Sequence, residues 1–314
     1  MPTVTDEKHL EEVLIQSIWK APHDLQREGF QEGFKEAVRS GFDDWALLFK
    51  GYEYWISRDY NLVSDRFLRN LRDLTLGSDQ PRERILSSTS DLVKLLVAHV
   101  KRRKADELLR SLLKELDSTK KTNDPERRLH GSKLEPFLAE ATTWISEAAE
   151  VYKRLSQKGD DRIRAEACHS LGNLELSRMR IEQIAIEKKE LEGQNVEYDP
   201  RSRWTEARRW FLKAVEISNN VTGLTFAPPH YKLALLTMRE LKYLEDKPEQ
   251  KLHPLTDEEK KVYLNDCIYE AKKAIDLARS STEEENYAPP LTLKAEATHW
   301  LRSLEKRNES ERNE

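Results

Sequence analysis

The sequence predicts an all-α protein, and three observations predict it. Only 10 of 314 residues are Gly and 12 are Pro, too few for the dense turns of an all-β fold. Charged residues make up 35% and hydrophobic ones 38%, a balance that suits helices with one buried stripe and one wet face. Almost every apolar run recurs at three and four, and no segment alternates convincingly as a strand does. The 7 Trp, 10 Tyr and 8 Phe supply large core residues, so the high charge does not signal disorder.

A first helix covers about 6–20, with Leu10, Val13, Leu14, Ser17 and Ile18 on one side, and Pro22 bars its continuation. A second amphipathic piece, 24–40, carries Leu25, Phe30, Phe34, Ala37 and Val38. Residues 43–74 read as a hairpin: Trp45, Leu48, Phe49, Tyr52, Trp55 and Ile56 form one stripe, Arg58-Asp59-Tyr60 a turn, and Val63, Phe67, Leu71 and Leu74 a second stripe. A turn that short makes the two helices antiparallel neighbours. Gly77 to Pro81 separates this hairpin from the next helix.

That helix is long, at 88–117, and has Leu92, Leu95, Leu96, His99, Ala105, Leu109, Leu112 and Leu116 along its stripe. The polar loop 118–133 comes after it. Helix 134–155 carries Phe137, Ala141, Trp144, Ile145, Ala148, Ala149 and Tyr152, and Gly159 is placed to cap it. Later helices are expected at 162–192, 204–217, 229–245, 258–280 and 291–306, with a flexible tail at 307–314. The expected organisation is an N-terminal helical region, 1–80, and a helical-repeat region, 81–306.

The repeat is signalled by FAPPH at 226–230 and YAPPL at 287–291. KAVEISNN (213–220) precedes the first and KAIDLARS (273–280) the second, matched in apolar positions and in the acidic fourth residue. The unit is helix, loop, helix, aromatic-Ala-Pro-Pro, with a period near 60. Periods of this kind mark stacked arrays, because one helix pair cannot bury its apolar face alone. The first Pro should keep the preceding residue extended, and the second should open the new helix.

AEACHSLGNLEL (165–176) and WTEARRWFLKAVEI (204–217) resemble the two helices of a tetratricopeptide repeat. Leu171 and Gly172 stand where that family favours Leu-Gly, and Ala207, Phe211 and Ala214 match the spacing of its second helix. CIYEAKKAIDLA (267–278) is similar, with Cys267, Ala271 and Ala274 in those places. The 43–74 hairpin resembles the unit through Gly51, Tyr54, Val63 and Phe67 but departs from it at Lys50 and Asn70. The family unit has about 34 residues, yet Leu171 to Ala207 spans 36 positions. Insertions therefore separate paired helices. The resemblance implies a right-handed helical-hairpin solenoid whose first helices line a groove for a partner protein or peptide. It places His169, Asn173 and Ser177 on that groove, where Asn173 can pair a peptide backbone as donor and acceptor. The competing reading is a generic helical bundle.

Candidate chemistry is sparse. No phosphate-binding glycine loop, zinc-protease signature or nucleophile elbow occurs. The eight His show no metal-ligand spacing, so neither a metal nor a cofactor is expected. Arg164 and His169 fit the R-x4-H pattern of the HEPN family of helical ribonucleases, and Arg162 with His169 fits R-x6-H. In that family the His assists attack of a ribose hydroxyl and the Arg steadies phosphate. The same residues open the best repeat helix, which accounts for them without chemistry.

Net charge is −4, which predicts no global attraction to nucleic acid. From Lys94 to Lys133, however, 12 Lys/Arg face 6 Asp/Glu. Lys101, Arg102, Arg103, Lys104, Arg127 and Arg128 there form a candidate basic patch for a nucleic acid or nucleotide. On a helix the first four fan around the axis rather than sharing a face. Cys168 and Cys267 read as small core residues, the N-terminus carries no recognisable signal peptide, and no stretch is long and apolar enough to span a membrane. The expectation is a cytoplasmic, non-catalytic scaffold or adaptor.

Overall fold

The chain is described from a computed structural model, which covers residues 6–19, 23–57, 87–121, 131–158, 160–191, 193–194, 196, 198–221, 226–246, 255–279 and 288–313. The second half of the 43–74 hairpin, Arg127, Arg128, Gly159 and Tyr287 lie outside the described residues. Ten α-helices are described: α1 (Glu7–Trp19), α2 (His23–Arg39), α3 (Asp43–Ser57), α4 (Ser87–Lys121), α5 (Gly131–Leu155), α6 (Asp161–Leu191), α7 (Arg201–Asn219), α8 (Pro228–Asp246), α9 (Asp257–Arg279) and α10 (Ala288–Asn313). Among the described residues there is no strand, so the all-α expectation holds.

Local chemistry sets the helix ends. Asp6 caps α1, its Oδ1 accepting from the His9 N–H at 2.8 Å. Asp160 does the same for α6 through the Arg162 N–H at 2.8 Å. Thr256 and Glu259 form a reciprocal capping box on α9: the Glu259 N–H reaches Thr256 Oγ1 at 3.2 Å, and the Thr256 N–H reaches Glu259 Oε2 at 2.8 Å. At the other end of α2, Gly41 has φ 75°. That left-handed turn lets the Phe42 N–H return to the Ala37 carbonyl at 2.9 Å. Gly193, with φ 82°, repeats the device after α6.

Both Pro-Pro joints sit earlier than the sequence suggests. α8 begins at Pro228, not Pro229, and both prolines of the second joint lie within α10. The first regular bond of α8 runs from the Tyr231 N–H to the Ala227 carbonyl at 3.3 Å. A helix start leaves its first few N–H groups without intrahelical partners. Here two of those positions are prolines and carry no N–H. The start of α8 is therefore buried at Pro229 and His230 with fewer donors to satisfy.

Two compact units are formed, 1–207 and 208–314, and the division falls within α7 between Ala207 and Arg208. In the first, α1 packs on α2, α2 on α3 and α3 on α4, while α4, α5 and α6 pack mutually. The pieces fit because small residues line the contacts: Ala98 and Ala105 on α4, Ala141 and Ala148 on α5, Ala165 and Ala167 on α6 are all fully buried. In the second unit α8, α9 and α10 pack mutually around Ala234, Leu241, Leu264, Cys267, Ala271 and Leu304. No described helix is long and apolar enough to cross a membrane.

Candidate functional site

α6 is enclosed nearly all round its middle. Residues 170–177 are buried almost without a break, although Ser170, Asn173, Glu175 and Ser177 are polar. A buried polar group must find a partner or forfeit its hydration. α6 supplies several of those partners itself, α4 adds Asp106 and α5 Tyr152, and the result is a polar cluster inside an apolar unit.

On α4, His99, Arg102 and Asp106 stand three and four residues apart and so share one side of the helix. All three are buried. Asp106 is the hub. Its Oδ2 accepts from Arg102 Nη1 at 3.0 Å. Its Oδ1 accepts from Ser177 Oγ at 2.6 Å and from Arg180 Nη1 at 2.9 Å, both on α6.

Two turns before Asp106 on α4, His99 is 2% exposed. Its Nδ1 lies 2.8 Å from the Tyr152 hydroxyl of α5, and its Nε2 lies 3.5 Å from Glu166 Oε1 of α6. Glu166 is a carboxylate and can only accept, so the ring proton lies on Nε2 and Nδ1 accepts from the Tyr152 hydroxyl. This assigns the Nε2–H tautomer to His99. Glu166 Oε1 also accepts from Ser170 Oγ at 3.2 Å and stands 3.6 Å from His169 Nδ1. His169 Nε2 meets Asn173 Nδ2 at 3.1 Å. Tyr52 of α3 closes the cluster, its hydroxyl donating to the Leu92 carbonyl at 3.0 Å.

The charge states are set by these contacts. Burial pushes the His99 imidazole down to about 3, helped by Arg102 and Arg103 and only partly opposed by Glu166; His99 is neutral at pH 7. Burial pushes the Glu166 carboxyl up, but the hydrogen bond from His169 and the charges of His169, His99 and Arg102 outweigh it, and the group lies below the usual carboxylate range. Burial also pushes the Tyr152 hydroxyl up to about 12. The cluster therefore holds the Arg102 and Arg180 guanidiniums, the Asp106 and Glu166 carboxylates and a neutral His99.

Several sequence-predicted residues meet here in an unforeseen arrangement. Ser177 is fully buried against α4, Asn173 is 8% exposed, and the His169 side chain is 13% exposed. Arg164 turns to Asp161, on its own helix. Of the basic patch, Arg102 is committed to Asp106, and Lys101 Nζ reaches Glu147 of α5 at 2.5 Å. Arg103 and Lys104 are half-buried. Asp106 and Glu166 are absent from the sequence expectations, and Tyr152 enters them only as a core residue. Their signal is present all the same: His99 interrupts the leucine stripe of α4, and Arg102 and Asp106 continue its line.

A second polar group anchors the start of α7. Arg203 donates to Glu175 at 2.9 Å and to Glu182 at 2.5 Å, both on α6, and Trp204 Nε1 meets Met179 Sδ at 3.1 Å. Among the described residues, no group of three or more His, Cys, Asp or Glu is placed to hold a metal ion. Both cysteines are fully buried, and burial pushes the Cys267 thiol up to about 12. No protein-family model matches the chain, and no curated protein matches it.

Proposed function

We propose that the chain is a tetratricopeptide-like helical-repeat scaffold that binds a partner protein or peptide and carries no catalysis of its own. The observation that carries this reading is the packing pattern. α4 packs on α5, α5 on α6, and α4 directly on α6; α8, α9 and α10 repeat that scheme. Stacked helical hairpins have this pattern, in which a first helix touches its mate and the first helix of the next pair. The buried Ala207, Phe211 and Ala214 on α7 also support it, since those are the positions the family reserves for close packing.

On this reading the first helices α4 and α6 offer the binding face of the first unit. Within the best repeat a ligand would meet His169 rather than Ser177, which α4 already covers. The nucleic-acid alternative has less support, because Arg102 is buried on Asp106 and Lys101 is paired with Glu147 at the surface. The test is cross-linking of the full chain to proteins captured from a cell extract, with the linked residues mapped by mass spectrometry. Cross-links gathered on α4 and α6 support a groove in the first unit. Links gathered on the outer side of α9, around the exposed Val262 and Tyr269, or none above background, would refute it.

A further inference from the structure

We propose that His99, packed between Tyr152 and Glu166, is a proton-operated latch that holds α4 against α5 and α6 at neutral pH and releases it in acid. The latch belongs to the first unit alone and is independent of the scaffold reading. His99 sits on α4, and every neighbouring element presents it with a titratable or charged group. α5 contributes Tyr152, and α6 contributes Glu166 and His169; Arg102 and Arg103 lie on α4 itself, and Tyr52 of α3 stands near Glu166 and Tyr152.

The neutral ring fits this setting. Nδ1 accepts the Tyr152 proton at 2.8 Å, and the Nε2–H points to Glu166 at 3.5 Å. A protonated ring fits less well. Nδ1 becomes a donor, so the Tyr152 hydroxyl, already bonded to Arg102 and Ser170, must turn its proton away from the ring. The new cation also stands beside Arg102 and Arg103. Asp106 cannot offset it, being taken by Arg102, Ser177 and Arg180. Glu166 is the remaining anion, and His169 and Ser170 share it. At 2% exposure water cannot solvate the ring unless the helices part.

The linkage has a definite sign. The folded ring binds its proton less tightly than the opened one, so between about pH 6.5 and pH 3 the open state holds the extra proton. Acid therefore favours opening, about tenfold for each pH unit below 6.5. The stabilisation is complete above pH 6.5 and declines as pH falls through that window.

Amide hydrogen exchange on the full chain tests the latch, with protection factors corrected for the intrinsic pH dependence of exchange. Between pH 7 and pH 5, protection in α4–α6 should fall about thirty-fold, while α8–α10 change less than threefold. His99→Gln keeps one donor and one acceptor but cannot titrate, and should remove most of that dependence. An equal loss in both units, or undiminished sensitivity in His99→Gln, would overturn the proposal. Should His99→Gln fail to fold, the wild-type ring decides by histidine NMR. A His99 neutral at pH 5.5 in the folded chain supports the latch, and one charged at pH 6 with α4–α6 still protected sinks it.

Discussion

At the scale of residues, Asp106 carries the sharpest prediction. Its carboxylate balances the buried Arg102 and also takes Ser177 and Arg180. Breaking a buried pair by removing one partner leaves an uncompensated charge and costs about 3–5 kcal/mol. Asp106→Ala should lose that much in urea denaturation. Arg102→Met with Asp106→Leu should recover only part of it: two apolar residues escape the desolvation that the ion pair suffers, but Ser177 and Arg180 still lose that acceptor. Additive losses in the double variant would refute this. The spacing of His169, Asn173 and Ser177 puts them on one side of a helix, and that much is legible in the sequence. What covers the side is not, because the Ser177 partner Asp106 lies 71 residues away in the chain. Periodicity reports which face a residue occupies and is silent on what packs against it.

At the scale of elements, close approach decides more than propensity does. Gly33 of α2 faces Phe49 of α3, and a Cβ built at Gly33 would fall 2.3 Å from the ring. Phe49 is fully buried and has nowhere to turn. Gly33→Ala gains up to about 1 kcal/mol of helix propensity, yet overpacking at such a site costs about 1–3 kcal/mol. The variant should be less stable than the wild type by thermal melting. At Thr256, loss of the capping box through Thr256→Ala should cost about 1 kcal/mol. Most elements are legible to within a few residues, since Asp160, Thr256 and Gly193 write the ends of their helices into the sequence. The largest departure is α10, expected at 291–306 and observed over Ala288–Asn313. α7 starts early as well. It begins at Arg201 rather than Trp204, because the Pro200 carbonyl already accepts the first regular bond, from Trp204 at 3.1 Å.

At the scale of the whole molecule, contacts gather between helices close in sequence. Such units keep their own cores, and the division between Ala207 and Arg208 gives each a separate one. A fragment of residues 201–314, retaining all of α7 with the core of α8, α9 and α10, should fold alone. It should melt cooperatively when followed by circular dichroism at the helical band. A broad, non-cooperative melt would show that the second unit depends on the first. This division is not legible in the sequence, because no composition shift or Pro/Gly-rich linker marks it; it falls inside a continuous helix.

The Ala-Pro-Pro joint bears on how such a chain lengthens. A helix that starts inside a protein ordinarily borrows oxygen atoms from whatever precedes it. α8 borrows less, because Pro228 and Pro229 have no N–H to satisfy. A segment opening this way can be copied into a new place without its former neighbour and still leave few buried donors stranded. The joint is portable in that sense, and its near-identical recurrence at 226–229 and 287–290 is what growth by duplication would leave behind.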